Sequence, residues 1–353
     1  MFYKKPSLFL LHFSFVVILA GALCTFIWGE RGYIHLREGI QNNEFILENE
    51  GSPTLLAFEI KLNHFEIIYY KGTQSPADYV SHIEIEDENS RSEYMVSMNN
   101  ILSYRGYRFY QASFDEDLKG SILIVNHDPF GILITYAGYI LLGISMIWVL
   151  LSKQARFRKL LRKSFQINPK QTLITASVFT VSIFALPVVY LVVYLTQNAF
   201  LEPVLSTSWL YVHVSLIIAS YALFIFMMLH GVIAIILLLM GDERLKGKMM
   251  SHIRNLQIIS RLFLYPAVFL LAAGIFTGAV WANISWGRYW GWDPKEVWAL
   301  ITMIIYAVAF HNKTLKWFNN PVFFHIYTIV AFCSVLMTYF GVNYFFGGMH
   351  SYN

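Results

Sequence analysis

Seven mainly apolar stretches, roughly residues 7–28, 131–151, 172–196, 209–240, 259–281, 297–312 and 321–345, limit what this chain can fold into. A helix of about 20 such residues crosses the hydrocarbon core of a bilayer while satisfying its own backbone N–H and C=O groups. The sixth stretch is the shortest and has partly polar ends. Composition agrees, since 56% of the 353 residues are hydrophobic, 17% aromatic and only 14% charged, with a mean hydropathy of +0.50. The expected fold class is an α-helical integral membrane protein of about seven transmembrane helices. Lys4 and Lys5 precede the first stretch as in a signal peptide. That stretch is too long for one, and Trp28, Gly29 and Glu30 follow it instead of a small-residue cleavage site, so it reads as a retained anchor.

Charge sets the expected orientation. The connector SKQARFRKLLRKSFQINPK carries Lys153, Arg156, Arg158, Lys159, Arg162, Lys163 and Lys170 with no acid. GDERLKGKMMSHIRN is also net basic, and HNKTLKWFNN holds two lysines. With seven spans these connectors share one side with the N-terminus, which the positive-inside rule makes cytoplasmic. The pI near 8.8 thus reflects topology and implies no nucleic-acid partner. Cys24 and Cys333 lie far apart in apolar spans with no CxxC, as small buried hydrophobes and not as a disulfide framework or thiol relay.

Between the first two spans, residues 29–130 form a candidate outward-facing domain. LLAFEIKL, FEIIYYKG, HIEIED, YMVSM, YRFYQASF and SILIVN read as strands, broken by turn formers such as KGTQSP and DENS. The expectation is a small β-sandwich or sheet that re-enters the membrane at NHDPFG, where Pro129 and Gly131 mark the turn. His35, His64, His82 and His127 read as surface histidines.

The connector between the fifth and sixth spans is unusual. It reads WGRYWGWDPKEVW from residue 286, with Trp281 just upstream, so five of the nine tryptophans fall within residues 281–298. An aromatic belt would account for a few. On the same expected face lie His213, about one turn into the fourth span, and His350, just past the seventh. Each histidine alone reads as interfacial snorkelling or a helix-end hydrogen bond. Two of them flanking an aromatic loop also suit a porphyrin: flat apolar walls for the macrocycle, histidine for the iron, and Arg288 and Lys295 for the anionic propionates. Asp293 before Pro294 reads as an Asx turn, with Lys295 and Glu296 opening the next helix. A second set of histidines, His12, His230, His311 and His325, lies toward the other face, and ionisable groups within spans are functional candidates.

WANISWGRYWGWDPKEVWALITMIIYAVAFH, with SWLYVHVSLIIASYALF before it and FFGGMHSY after it, resembles the haem-handling protein of cytochrome c synthesis System II, the CcsA/ResC type. The family signature WGxxWxWDxKE reads WGRYWGWDPKE here, and the resemblance covers about residues 170–353. The segment from PADYVSHIEIEDE to NHDPFG resembles, more weakly, the outer domain of the partner subunit, the CcsB/ResB type. The chain therefore looks like a fusion of a CcsB/ResB-like half, 1–151, a basic cytoplasmic linker, 152–171, and a CcsA/ResC-like half, 172–353. The partner half has one span ahead of its outer domain where longer members have more.

The resemblance implies a cytochrome c synthase in the bacterial inner membrane, with the Trp-rich loop and C-terminus on the periplasmic side. It would move haem b outward, hold it at the loop, and promote thioether formation with the CxxCH motif of apocytochrome c. His213 and His350 match the outer iron ligands, Trp286, Trp290, Trp292 and Asp293 the loop that holds the porphyrin, and His311 the inner ligand. His12 takes the second inner role by position, with His230 and His325 as competitors. No catalytic residue separate from the haem site is evident, so orientation of the reactants does the work. Partners would be apocytochrome c, membrane lipid, and separate proteins that keep its thiols reduced. A haem transporter or relay without covalent chemistry, and more weakly a two-haem electron-transfer cytochrome, are the rival readings.

Overall fold

A computed structural model describes residues 6–88, 90–152, 155–167, 170, 177, 208–240 and 246–346. Its helices are α1 (Pro6–Trp28), α2 (Gly131–Leu151), α3 (Arg156–Ile167), α4 (Ser208–Leu239), α5 (Lys246–Trp286), α6 (Pro294–Val308), α7 (Pro321–Leu336) and α8 (Val342–Phe345). Among the described residues, five helical stretches are long and apolar enough to cross a membrane: Pro6–Trp28, Gly131–Ile167, Trp209–Leu239, Gly247–Trp286 and Pro321–Phe345. The sixth expected span is α6, whose 15 residues give about 22 Å, short of the roughly 30 Å hydrocarbon core. A 3-10 turn, Ala309–His311, extends it. The third expected span, 172–196, lies outside the described residues apart from Ser177. Cys24 is half-buried and Cys333 exposed, so neither is the fully buried hydrophobe that its apolar surroundings suggested.

The chain forms two compact units, one of Met1–Leu142, Thr196–Ser208 and Val280–Tyr289, the other of Gly143–Leu195, Trp209–Ala279 and Trp290–Asn353. In the first, eight antiparallel strands make one sheet in the order β5-β4-β3-β2-β1-β8-β7-β6. They are β1 (Glu30–Arg37), β2 (Gln41–Leu47), β3 (Pro53–Tyr69), β4 (Pro76–Asp87), β5 (Ser90–Ser97), β6 (Leu102–Tyr104), β7 (Tyr107–Phe114) and β8 (Gly120–His127). The sheet curls on itself. Ser81 Oγ of β4 lies 2.7 Å from both Gln111 Oε1 of β7 and Ser121 Oγ of β8, and alternate residues such as Ile34, Phe45, Ile60, Ile83, Phe109 and Val125 share one buried core. Each fully buried side chain of this size contributes about 1.5–3 kcal/mol.

β1 leaves α1 and β8 enters α2, and the two strands pair with Glu30 opposite His127. That pairing brings both helices out of the sheet side by side. Thr25 Oγ1 donates to Asp128 Oδ2 at 2.6 Å, while Asp128 Oδ1 accepts from Gly131 N at 2.7 Å and caps α2. A Cβ on Gly138 would stand 2.6 Å from Ile18 Cγ1, so glycine lets the two helices approach.

Three strands escape the sequence pattern: β1 and β2 alternate polar residues with few apolar ones, and β6 has only three residues. LLAFEIKL and FEIIYYKG belong to the single strand β3. A register shift between Leu62 and His64 places the polar pair Asn63 and His64 mid-strand, where it resembles a break. His35, His64 and His82 sit on the surface against carboxylates, at 2.9 Å from Asp115, 3.1 Å from Glu38 and 3.0 Å from Glu66. His127 is 3.4 Å from Glu30.

In the second unit α4, α5 and α6 interlock. Phe224 stacks on Tyr306 at 3.7 Å between ring centroids, and Ser220 Oγ donates to the Ala267 carbonyl at 2.8 Å. Thr302 and Thr338 lie 3.1 Å apart through their hydroxyls and tie α6 to the π-turn after α7.

Candidate functional site

The tryptophan-rich connector divides between the units: Trp281, Trp286 and Arg288 belong to the first, and Trp290, Trp292, Asp293 and Lys295 to the second. Its second half is built as a helix start. Asp293 is the N-cap of α6, Pro294 takes the first helical position, and Glu296 closes a capping box. Asp293 Oδ1 accepts from Lys295 N at 2.9 Å, and Glu296 Oε2 accepts from Asp293 N at 3.2 Å and Gly291 N at 2.8 Å. These bonds hold Trp292 at φ 55, a conformation bulky side chains rarely adopt, and leave it 78% exposed. Trp290 meets Trp292 edge to face at 6.2 Å. Asp293→Ala is expected to cost about 1 kcal/mol through the lost cap, read as a lower melting temperature in detergent that Asp293→Asn largely restores.

The first half is clasped by the β domain. α5 ends at Trp286, and Gly287 follows at φ +72. Tyr110 Oη of β7 donates to the Asn283 carbonyl at 3.1 Å, Asn126 Nδ2 of β8 donates to the Gly287 carbonyl, and Asn283 Nδ2 donates to Tyr136 Oη at 2.9 Å. Trp281 and Trp286 meet at 4.8 Å. Trp281 Nε1 is buried with no hydrogen-bond partner among the described residues. Arg31 of β1 stands within electrostatic reach of Arg288. Burial lowers its guanidinium's proton affinity, Glu48 opposes that, and Arg288 adds to it. Two cations thus converge at this end of the loop, and nothing in the sequence pattern singled out Arg31, Tyr110 or Asn126.

His213 sits on α4 against a glycine notch of α5. Its Nδ1 lies 2.6 Å from the Gly274 carbonyl. A carbonyl only accepts, so this nitrogen carries the proton and the neutral ring's lone pair is on Nε2. A Cβ on Gly278 would stand 2.6 Å from His213 Nδ1 and Cε1, and one on Gly274 2.6 Å from Ile217 Cδ1. GIFTG therefore admits the imidazole and fixes its tautomer, the arrangement in which histidine serves as a metal ligand. Lys295 is half-buried at the start of α6.

The remaining histidines are scattered. His12 is exposed on α1, its Nδ1 2.7 Å from the Leu8 carbonyl, and belongs to the first unit, whereas His311 belongs to the second. His311 is exposed at the end of the 3-10 turn, 3.2 Å from the Ala307 carbonyl. His230 meets Ser260 Oγ at 3.1 Å and stacks on Phe263. His325 is fully buried, with Nε2 3.1 Å from the Ile253 carbonyl and Nδ1 without a partner among the described residues. His350 lies outside the described residues. Among those described, no three His, Cys, Asp or Glu side chains cluster as a metal site.

Long apolar helices, a curled β domain and a tryptophan-rich connector define a membrane protein whose connector is its most elaborated feature. The chain belongs to the cytochrome c assembly protein family, which matches residues 132–350, and carries a ResB-like family domain at 3–131 in the same polypeptide. It is 42% identical over 152 residues to the protein NrfI of Wolinella succinogenes, covering 43% of this chain and 17% of that protein. It is 38% identical over 161 residues to the cytochrome c biogenesis protein CcsA of Chlamydomonas reinhardtii, covering 44% of each. With CcsA of Mesostigma viride it shares 32% over 224 residues, 56% of this chain and 71% of that protein. The match thus spans less than half the length of the first two relatives.

Proposed function

We propose that this chain is a cytochrome c synthase of the System II type, which carries haem b across the membrane, holds it at the tryptophan-rich connector and promotes its thioether attachment to the CxxCH motif of apocytochrome c. The observation that carries the reading is the seating of His213, whose Nδ1 lies 2.6 Å from the Gly274 carbonyl, so that Nε2 is the nitrogen suited to a metal. The residues suit the group in three respects: His213 offers an iron ligand, Trp290 and the exposed Trp292 offer aromatic surface, and the half-buried Lys295 offers charge to a carboxylate. Trp286, Arg288 and His350 join the site through the signature and the family pattern.

Haem supplies two vinyl groups, and each cysteine thiol adds across one of them, sulfur to one carbon and the proton to the other, so no oxidant is consumed. What the chain would contribute is position: His213 and His350 would hold the iron, and the tryptophans would offer the macrocycle flat surface, leaving its vinyl groups toward the incoming CxxCH cysteines. Effective concentration then supplies most of the acceleration. His311 and His12 form the inner station, and separate proteins keep the apocytochrome thiols reduced. The connector and C-terminus face the periplasm, with the N-terminus in the cytoplasm of a bacterial inner membrane.

Expression of this chain with an apocytochrome c in a host lacking its own pathway tests the proposal. The expected result is haem that stays with the cytochrome after denaturation and shows a c-type spectrum. Haem-loaded protein with no covalent product would reject the synthase and leave a relay.

A further inference from the structure

A pocket of about 250 Å³ lies within the second unit, where α3, α5 and the end of α6 meet. Arg156, Lys159, Lys163, Arg261 and Lys313 line it, and no carboxylate does. Its walls are tied together. Arg156 Nη1 donates to the Phe310 carbonyl at 2.8 Å, and Phe157 packs edge-on against Tyr265 at 5.9 Å. Arg261 is the informative group. It donates through Nη2 to the Phe318 carbonyl and lies 5.3 Å from the Phe324 ring centroid, yet its Nε is buried without a partner among the described residues. The described ion pairs all lie in the β domain, and none involves these five cations. A partly buried guanidinium with no counterion among the described residues carries a desolvation cost, and an anion in the pocket offsets it.

We infer that this pocket binds the phosphodiester headgroup of an anionic phospholipid. Arg156, Lys159 and Lys163 recur along one face of α3, a short basic helix of the kind that lies in a membrane interface. Basic pockets between membrane helices suit acidic headgroups, and guanidinium groups chelate phosphate oxygens. Leu160, Leu264 and Phe310 line the same pocket and offer apolar surface to the start of the acyl chains. The volume is below the roughly 300–1,000 Å³ typical of pockets for drug-sized ligands, which suits a small headgroup better than a macrocycle. The inference is independent of the haem site.

The test uses the full chain in neutral detergent, titrated with short-chain phosphatidylglycerol or phosphatidylcholine, and reads melting temperature together with lipid retained in intact-protein mass spectra. Phosphatidylglycerol is expected to bind saturably and raise the melting temperature, and phosphatidylcholine is not. Lys159→Gln with Lys163→Gln, both exposed and so neutral to folding, is expected to weaken phosphatidylglycerol binding about tenfold. Equal binding of both lipids, or unchanged binding by the double variant, overturns the inference. So does inorganic phosphate producing the same shift, which assigns the pocket to a free anion, or haemin displacing the lipid, which assigns it to haem carboxylates.

Discussion

His213→Ala is expected to remove most of the haem that co-purifies with the protein and to abolish covalent attachment, while the chain still inserts and folds. The side chain bonds the Gly274 carbonyl across a helix interface, and its loss leaves a small gap there. Gly278→Leu is the sharper companion. Its side chain enters where the imidazole lies, since a Cβ alone would stand 2.6 Å from Nδ1, and it moves the ring without deleting it. Disturbing the group that orients a metal-ligating histidine typically costs about 10–100-fold in affinity. Haem titration followed by absorbance should show that loss for Gly278→Leu and near-complete loss for His213→Ala. Added imidazole should restore a low-spin spectrum to His213→Ala only. An unaltered spectrum in a His213→Ala, His350→Ala double variant would sink the outer site.

The membrane character was legible because a span must be apolar throughout, a property no neighbouring segment can supply. The helix start at Asp293–Glu296 was partly legible too, because capping is local: an Asx residue, a proline and an acid at fixed offsets carry it. What stayed hidden depends on partners distant in sequence. GIFTG means nothing until α4 lays His213 against it, and Tyr110 and Asn126 are ordinary strand residues until the curled sheet brings them to Asn283 and Gly287. β3 was split in two because a bulge shifts the alternation on which strand reading depends. The capping box also alters the sense of the signature. Its Asp and Glu accept from backbone N–H groups and so set the posture of the helix start that carries Trp290 and Trp292.

Gly287→Ala is expected to destabilise the protein by about 2–4 kcal/mol, more than loss of the α6 cap, because two separate penalties add. The first is backbone. Gly287 sits at φ +72, which costs a residue with a Cβ about 1–2 kcal/mol. The second is space. The new methyl would stand 2.8 Å from Tyr110 Cε2, and that ring cannot swing aside cheaply while its hydroxyl donates to the Asn283 carbonyl at 3.1 Å. The two penalties separate in a double-mutant cycle. Tyr110→Leu removes the ring, so Gly287→Ala in that background should cost only the backbone share, and melting in detergent should show coupling of about 1–2 kcal/mol. Hydrogen exchange offers the local readout: amides of 283–289 should lose protection in Gly287→Ala and in Asn126→Ala alike, because both open the same clasp. Strict additivity with Tyr110→Leu would mean that the ring does not confine the glycine. The ResB-like domain would then hold the first half of the connector through the hydrogen bonds of Tyr110 and Asn126 and not through packing on Gly287.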